Sequence, residues 1–179
     1  MRFLRNLKIR QERSITMWII DLYMENSGKS PIAKDEWYGY VLSYQGQTLH
    51  TKEVFEHCVR NRNGRDLEMF LDALSRCKPA QIIVHTDSGY LAGGFYRISR
   101  YQENGWKNSK GEEIKYKDLW EKIAEESQDK EILFELGEHE YTQWLKSEIR
   151  RQKHENEENP GTGNKDCKQT ESRDEKERH

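Results

Sequence analysis

A chain of 179 residues with 34% hydrophobic and 35% charged residues is poorer in apolar side chains and richer in charge than ordinary globular proteins, at roughly 45–50% and about 25%. A fold that is evenly polar from end to end is therefore excluded, because it would bury too little apolar surface to offset its conformational entropy. The formal net charge of -2 also excludes nucleic-acid binding through the field of the whole chain and leaves it to a local basic patch.

Residues 1–14 (MRFLRNLKIRQERS) form a basic extension without the apolar core of a secretory signal, so a cytoplasmic protein is expected. Residues 16–24 (TMWIIDLYM) are β-branched and aromatic and run into a turn-rich stretch at 26–30, the pattern of a first strand. Residues 37–44 (WYGYVLSY) predict a second strand, and 47–55 a third after the Gln45-Gly46 turn, the three pairing as a meander. From Arg65, the run RDLEMFLDALSRC places Leu67, Phe70, Leu71 and Leu74 at helical spacing, between an Asn63-Gly64 turn and a Lys78-Pro79 stop. Residues 80–86 (AQIIVHT) are nearly continuously apolar, as in a strand buried on both faces.

After Asp87-Ser88, the segment SGYLAGGFYRISRYQENG predicts a helix weakened by Gly93-Gly94. A basic loop at 107–117, a helix at 118–127, a strand at 131–136 and a helix at 141–151 complete the order, the last with Trp144, Leu145 and Ile149 on one face. Strands alternating with helices after a meander imply an α/β fold with a mixed sheet and helices on both faces. A domain over 15–151 is expected, followed by a charged, disordered tail at 152–179 that has nothing apolar to pack with. No stretch approaches the roughly 18 apolar residues of a membrane span. Cys58, Cys77 and Cys167 are too widely spaced for a zinc pattern and odd in number for a disulfide framework.

Asp87 is the position with most chemical content. It follows a buried strand and precedes a helix, at the mouth where open α/β sheets bind ligands. The segment IIVHTDSGYL at 82–91, followed by Asn104-Gly105-Trp106-Lys107, Ile114-Lys115 and Asp118-Leu119-Trp120, resembles three elements of the ribonuclease H type 1 family, in order: its strand-TDS-x-Y segment, its basic GWK loop and the DLW opening of its next helix. The resemblance implies a ribonuclease H-like fold with a five-stranded mixed sheet, an antiparallel meander joined to parallel strands. It also implies a metal-dependent endonuclease that cuts the RNA strand of an RNA–DNA hybrid with Mg²⁺ or Mn²⁺.

On that resemblance four acidic positions are sought. Asp87 takes the TDS position, and Asp66, with Leu67 and Ala73-Leu74 behind it, takes the first-helix position. The first strand offers Asp21 and Glu25, which share parity and hence a strand face; counting back from Pro31 and from Tyr38-Gly39 points to Glu25, followed by Asn26 where the family has Gly. On the last helix, which lacks the family's Asn-Glu-x-x-Asp arrangement, Glu148 is the acid at comparable distance, and His139 takes the place of a loop histidine that aids proton transfer or product release. Glu25, Asp66, Asp87 and Glu148 would supply the hard oxygen ligands that Mg²⁺ prefers.

Residues 97–117 carry six basic against three acidic side chains, a local +3. Within the region resembling the family's basic protrusion, Trp106, Lys107, Lys110 and Lys115 are the expected hybrid-binding residues, with Asn63 and Ser88 nearer the acids. Asn63 matches a position that contacts the minor groove, where 2′-hydroxyls distinguish RNA from DNA. Arg62 stands where the family has Asn and Gly89 where it has Gln. The expected partner is thus an RNA–DNA hybrid, with no membrane and no small-molecule cofactor, bound by a monomer. The alternatives are a catalytically degenerate nucleic-acid-binding member of the family and an adaptor working through its charged tail.

Overall fold

The computed structural model describes residues 17–159; the expected basic extension at 1–14, and positions 160–179 of the expected tail, lie outside the described residues. The strands are β1 (Ile19–Asn26), β2 (Lys34–Gln45), β3 (Leu49–Arg60), β4 (Gln81–Thr86) and β5 (Glu131–Leu136). The helices are α1 (Arg62–Ser75), α2 (Gly89–Phe95), α3 (Ile98–Glu103), α4 (Lys117–Glu126) and α5 (Thr142–Glu158). One five-stranded sheet runs in the order β3-β2-β1-β4-β5. β1 pairs antiparallel with β2, and β2 with β3, whereas β1–β4 and β4–β5 are parallel. This is the mixed sheet expected from the element order.

Alternation along β1 divides the core. Leu22 and Met24 join Ile82 and Val84 of β4 in burying Leu67, Phe70 and Leu74 of α1 and Trp120 and Ile123 of α4. Tyr23, on the opposite face, packs with Val41 of β2 and Leu145 of α5. Because α5 lies over β1 and β2, Ile83 and His85 of β4 remain half-buried, so this strand is less completely covered than its apolar run predicts. Gly39 opens the way for α5: a Cβ there would meet the Phe55 ring at 2.6 Å and Ile149 at 3.3 Å.

Three boundaries differ from the sequence expectation, each for a local reason. α1 begins three residues before Arg65, because Asn61 caps it by accepting from the Gly64 amide at 3.0 Å. The helix after Asp87-Ser88 splits into α2 and α3 at Tyr96-Arg97, just past the Gly93-Gly94 pair. Gly94 also lets α2 lie against α4, since a Cβ there would meet the Trp120 ring at 2.3 Å. α5 continues beyond Arg151 to Glu158, so residues 152–158 of the expected tail are helical. Arg151 bonds Glu148 and Glu155, three and four residues away, across that junction.

Candidate active site

The parallel, central pair β1 and β4 ends at one end of the sheet, and the first turns of α1 come over the same end. Tyr23 and His85 are register partners. Glu25 and Asp87 follow two residues later, so both strands deliver a carboxylate at that corner on one face. Asp66 approaches from α1.

Arg65 holds this corner together. It is fully buried, at 0% exposure, and donates to the carbonyls of Arg60 (2.7 Å) and Gly28 (2.9 Å) and to Oδ1 of Asn26 (3.2 Å). The Arg62 amide adds a bond to the Ser30 carbonyl at 3.0 Å, so the loop leaving β1 is laced to the start of α1. Asn26 in turn donates from Nδ2 to Asp66 Oδ1.

Asp66 is 2% exposed, and its Oδ2 is a buried oxygen with no hydrogen-bond partner. Burial, with Asp87 adding, pushes its carboxyl up to about 6, against the opposing effect of Ser88, Arg62 and Asn26. Glu25, 8% exposed, is also pushed up by burial and by Asp87, while Lys146, Thr142 and Lys29 favour its charge. Asp87 accepts from Arg62 Nη2 at 2.5 Å and lies 3.5 Å from Lys29 Nζ. Arg62 Nε is also 3.8 Å from Asp66 Oδ2, so one guanidinium spans two of the carboxylates.

His139 lies beneath Glu25, with Nε2 3.7 Å from Glu25 Oε1 and 3.3 Å from the Met24 carbonyl. Burial lowers its pKa, which favours the neutral ring, and Nδ1 has no partner. Asp21 is one step removed from the corner: it bonds His85 Nε2 at 2.8 Å, while His85 Nδ1 meets Glu135 at 3.1 Å. Of the two first-strand acids, Glu25 is the one beside Asp87. Glu148 is not brought to the others. Thr142 and Lys146, four residues apart, face Glu25, whereas Glu148, about 200° round the helix from Lys146, accepts from Arg151 at 2.5 Å and 3.0 Å.

The expected binding residues divide. Ser88 is buried and caps α2 by accepting from the Leu91 amide at 3.3 Å. Trp106, at φ 60, packs half-buried on the core. Lys107, Lys110 and Lys115 are exposed on a loop tied by the Lys107–Glu113 bridge and by Asn108, whose Oδ1 accepts from the Lys110 and Glu112 amides. Tyr116, closing that loop, donates to Asn61 Oδ1 at 2.5 Å, which couples the loop to the α1 terminus carrying Arg62, Asn63 and Asp66.

Among the described residues no three His, Cys, Asp or Glu side chains are gathered closely enough to hold a metal ion. The donor chemistry nevertheless fits a hard divalent cation: Glu25, Asp66 and Asp87 offer oxygens at one corner, two of them raised by burial and mutual repulsion, and Asp66 Oδ2 is unpartnered. In the present arrangement Arg62 lies against both Asp66 and Asp87.

A pH test follows from Asp66. Its folded carboxyl, near 6 against 3.8 in the unfolded chain, favours the folded state fully below pH 3.8, and that contribution is lost as pH rises through about 6. Asp66→Asn is therefore expected to stabilise the protein at pH 7.5 by up to roughly 3 kcal/mol and to leave it unchanged near pH 3.5. Denaturant unfolding at the two pH values measures this; equal effects at both would rule out the carboxyl as the source.

The RNase H family model matches residues 22–136, and the chain belongs to that family. A ribonuclease H of Acetivibrio thermocellus is 35% identical over 94 residues, covering 50% of this chain and 61% of the relative. One from Legionella pneumophila is 32% identical over 108 residues, covering 58% and 72%. The chain thus spans about three-fifths of the length of the first of these relatives. Among solved structures, LC9-RNase H1, described as a type 1 RNase H with the type 2 active-site motif, matches with a TM-score of 0.62 at 17% identity over 74% of this chain and 71% of that one. The PFV RNase H domain matches with a TM-score of 0.57 at 19% identity over 76% and 93%. These two likenesses establish the ribonuclease H-like fold.

Proposed function

We propose that the protein is a metal-dependent endonuclease that hydrolyses the RNA strand of RNA–DNA hybrids. The observation that supports this most is the approach of Glu25, Asp66 and Asp87, from β1, α1 and the turn after β4, to one end of the central strands of a ribonuclease H-like sheet. Glu25, Asp66 and Asp87 would hold Mg²⁺, or Mn²⁺ in its place. Bound there, the divalent cation supplies an activated water and a counter-charge to the leaving oxygen of the phosphodiester. The chain's own residues do the rest. Asn26 and Arg65 fix Asp66 and the strand end, and His139, packed under Glu25, would aid proton transfer or product release. Asn63, in the first turn of α1, reads the minor groove, while Lys107, Lys110 and Lys115 hold phosphates.

A second reading, a family member that binds hybrid without cutting it, is favoured by a specific observation: Arg62, Lys29 and Lys146 already set positive charge against the three acids.

A substrate panel separates the two. The full chain with Mg²⁺ or Mn²⁺ is expected to cut the RNA strand of a labelled hybrid and to leave single-stranded RNA and duplex DNA intact. Log affinity for the hybrid is expected to fall with log salt, by about 0.7 to 0.9 per phosphate contact. Reversing charge at Lys107 and Lys110 together is expected to flatten that slope by roughly 1.5. Salt-dependent binding without cleavage in either metal would establish the second reading, and an unchanged slope would remove the loop from the interface.

A further inference from the structure

We propose that Arg62 is a resident counter-cation of the candidate active site, which a divalent cation must displace from Asp66 and Asp87, and that it thereby sets the metal affinity of the site. This rests on the nuclease reading above and concerns a residue that the resemblance alone leaves without a role.

The geometry is that of a clamp. Arg62 is the first residue of α1, one helical turn before Asp66, so its side chain rises along the face that carries the carboxylate. Its Nη2 is 2.5 Å from Asp87 Oδ1, and its Nε is 3.8 Å from Asp66 Oδ2. The guanidinium therefore occupies the approach to both acids at once, and its planar fork can face two carboxylates together, as a lysine ammonium cannot. The oxygen it approaches less closely, Asp66 Oδ2, is the buried one without a hydrogen bond. The Arg62 pairing is only partly solvent-screened, with side chains 22% and 40% exposed for Arg62 and Asp87. Lys29, by contrast, reaches Asp87 from solvent at 3.5 Å with a side chain 75% exposed and is expected to contribute little.

A divalent cation entering between Asp66 and Asp87 competes with the Arg62 guanidinium for Asp87 Oδ1 and Asp66 Oδ2, so metal entry is expected to turn Arg62 outward. The Tyr116–Asn61 bond holds the α1 terminus in place meanwhile, and the movement is confined to the side chain.

Mn²⁺ titration of the full chain by calorimetry, with thermal unfolding in EDTA and in excess Mg²⁺, tests this. Arg62→Gln is expected to bind Mn²⁺ up to about fivefold more tightly than the unaltered chain, the equivalent of one partly screened ion pair. It is also expected to melt lower than the unaltered chain in EDTA, where two acids lose their counter-charge, and to close that gap in Mg²⁺, since a ligand of the native state stabilises it in proportion to its occupancy. Lys29→Gln should change affinity less than Arg62→Gln. Should Arg62→Gln not fold, Arg62→Lys, which keeps the charge but loses the fork, is expected to tighten binding in the same direction by a smaller factor. Equal or weaker Mn²⁺ affinity in the Arg62 variants of a chain that binds metal and cleaves hybrid overturns the clamp and leaves the nuclease reading standing. Absence of both metal binding and cleavage in every form overturns both.

Discussion

Asp87→Asn is expected to lower the rate of hybrid cleavage about 10³-fold or more, with the folded state retained. The amide keeps the shape of the side chain but removes the negative charge that joins Asp66 and Glu25 at the corner, and the electrostatic stabilisation expected of a metal at a phosphoryl centre is several kcal/mol. Asp87 lies at the open mouth of the site and is paired with Arg62 and Lys29. Breaking these partly exposed pairs is expected to cost within about 1 kcal/mol, so activity and stability separate. Cleavage rates under single turnover and thermal unfolding, measured on the same preparations, test both halves. Cleavage at the unaltered rate would place the chemistry elsewhere.

Arg65→Met carries the largest expected effect on stability, a loss of roughly 3–5 kcal/mol. Arg65 is wholly buried, and its donors satisfy two carbonyls and the Asn26 side chain. A methionine of comparable length fills the volume but leaves those acceptors unpaired, and each buried group left unsatisfied costs about 1–3 kcal/mol. The loop after β1 then keeps only the Arg62–Ser30 backbone bond and the Asn26–Asp66 bond to α1, which loosens the setting of Asn26 against Asp66, so hydrolysis is expected to fall as well. Urea unfolding measures the loss; a change below about 1 kcal/mol would show that the loop is held by its other contacts. The contrast with Asp66→Asn, which removes a buried charge from the same corner and is expected to stabilise, follows from Arg65 being satisfied and Asp66 Oδ2 not.

The elements with strong periodicity or strong punctuation were legible before the structure. The spacing of Leu67, Phe70 and Leu74 describes the buried face of α1, and the TDS segment lies where β4 ends and α2 begins. Boundaries set by single hydrogen bonds were less so. The Asn63-Gly64 pair looks like a turn, yet the Asn61 cap draws it into the first turn of α1. The polar run after Arg151 has no apolar residue to mark a helix, yet α5 continues through it, with ion pairs along one side.

At the site, two residues on one strand face, Asp21 and Glu25, are indistinguishable by parity; the structure places His85 beside the first and Asp87 beside the second. Helical rotation separates Lys146 from Glu148, a distinction that counting residues from a motif does not make when the motif itself is altered. The four-residue spacing of Arg62 and Asp66 becomes an ion-pair signal only once the Asn61 cap brings Arg62 into α1, ahead of the helix start at Arg65 that the sequence pattern predicts. Arg65 was not readable, because most of its partners are backbone carbonyls that any residue type would present.

On the function proposed above, the carboxylate corner hydrolyses the RNA strand of a hybrid with water as the nucleophile. The most direct measurement is analysis of both strands and of the new RNA ends after incubation of a doubly labelled RNA–DNA hybrid with the full chain and Mg²⁺. The expected result is a cut RNA strand, an intact DNA strand, no 2′,3′-cyclic phosphate, no cutting in EDTA, and cutting reduced at least about 10³-fold in Asp87→Asn. An uncut hybrid, or RNA ends carrying a 2′,3′-cyclic phosphate that form equally well in EDTA, would contradict it.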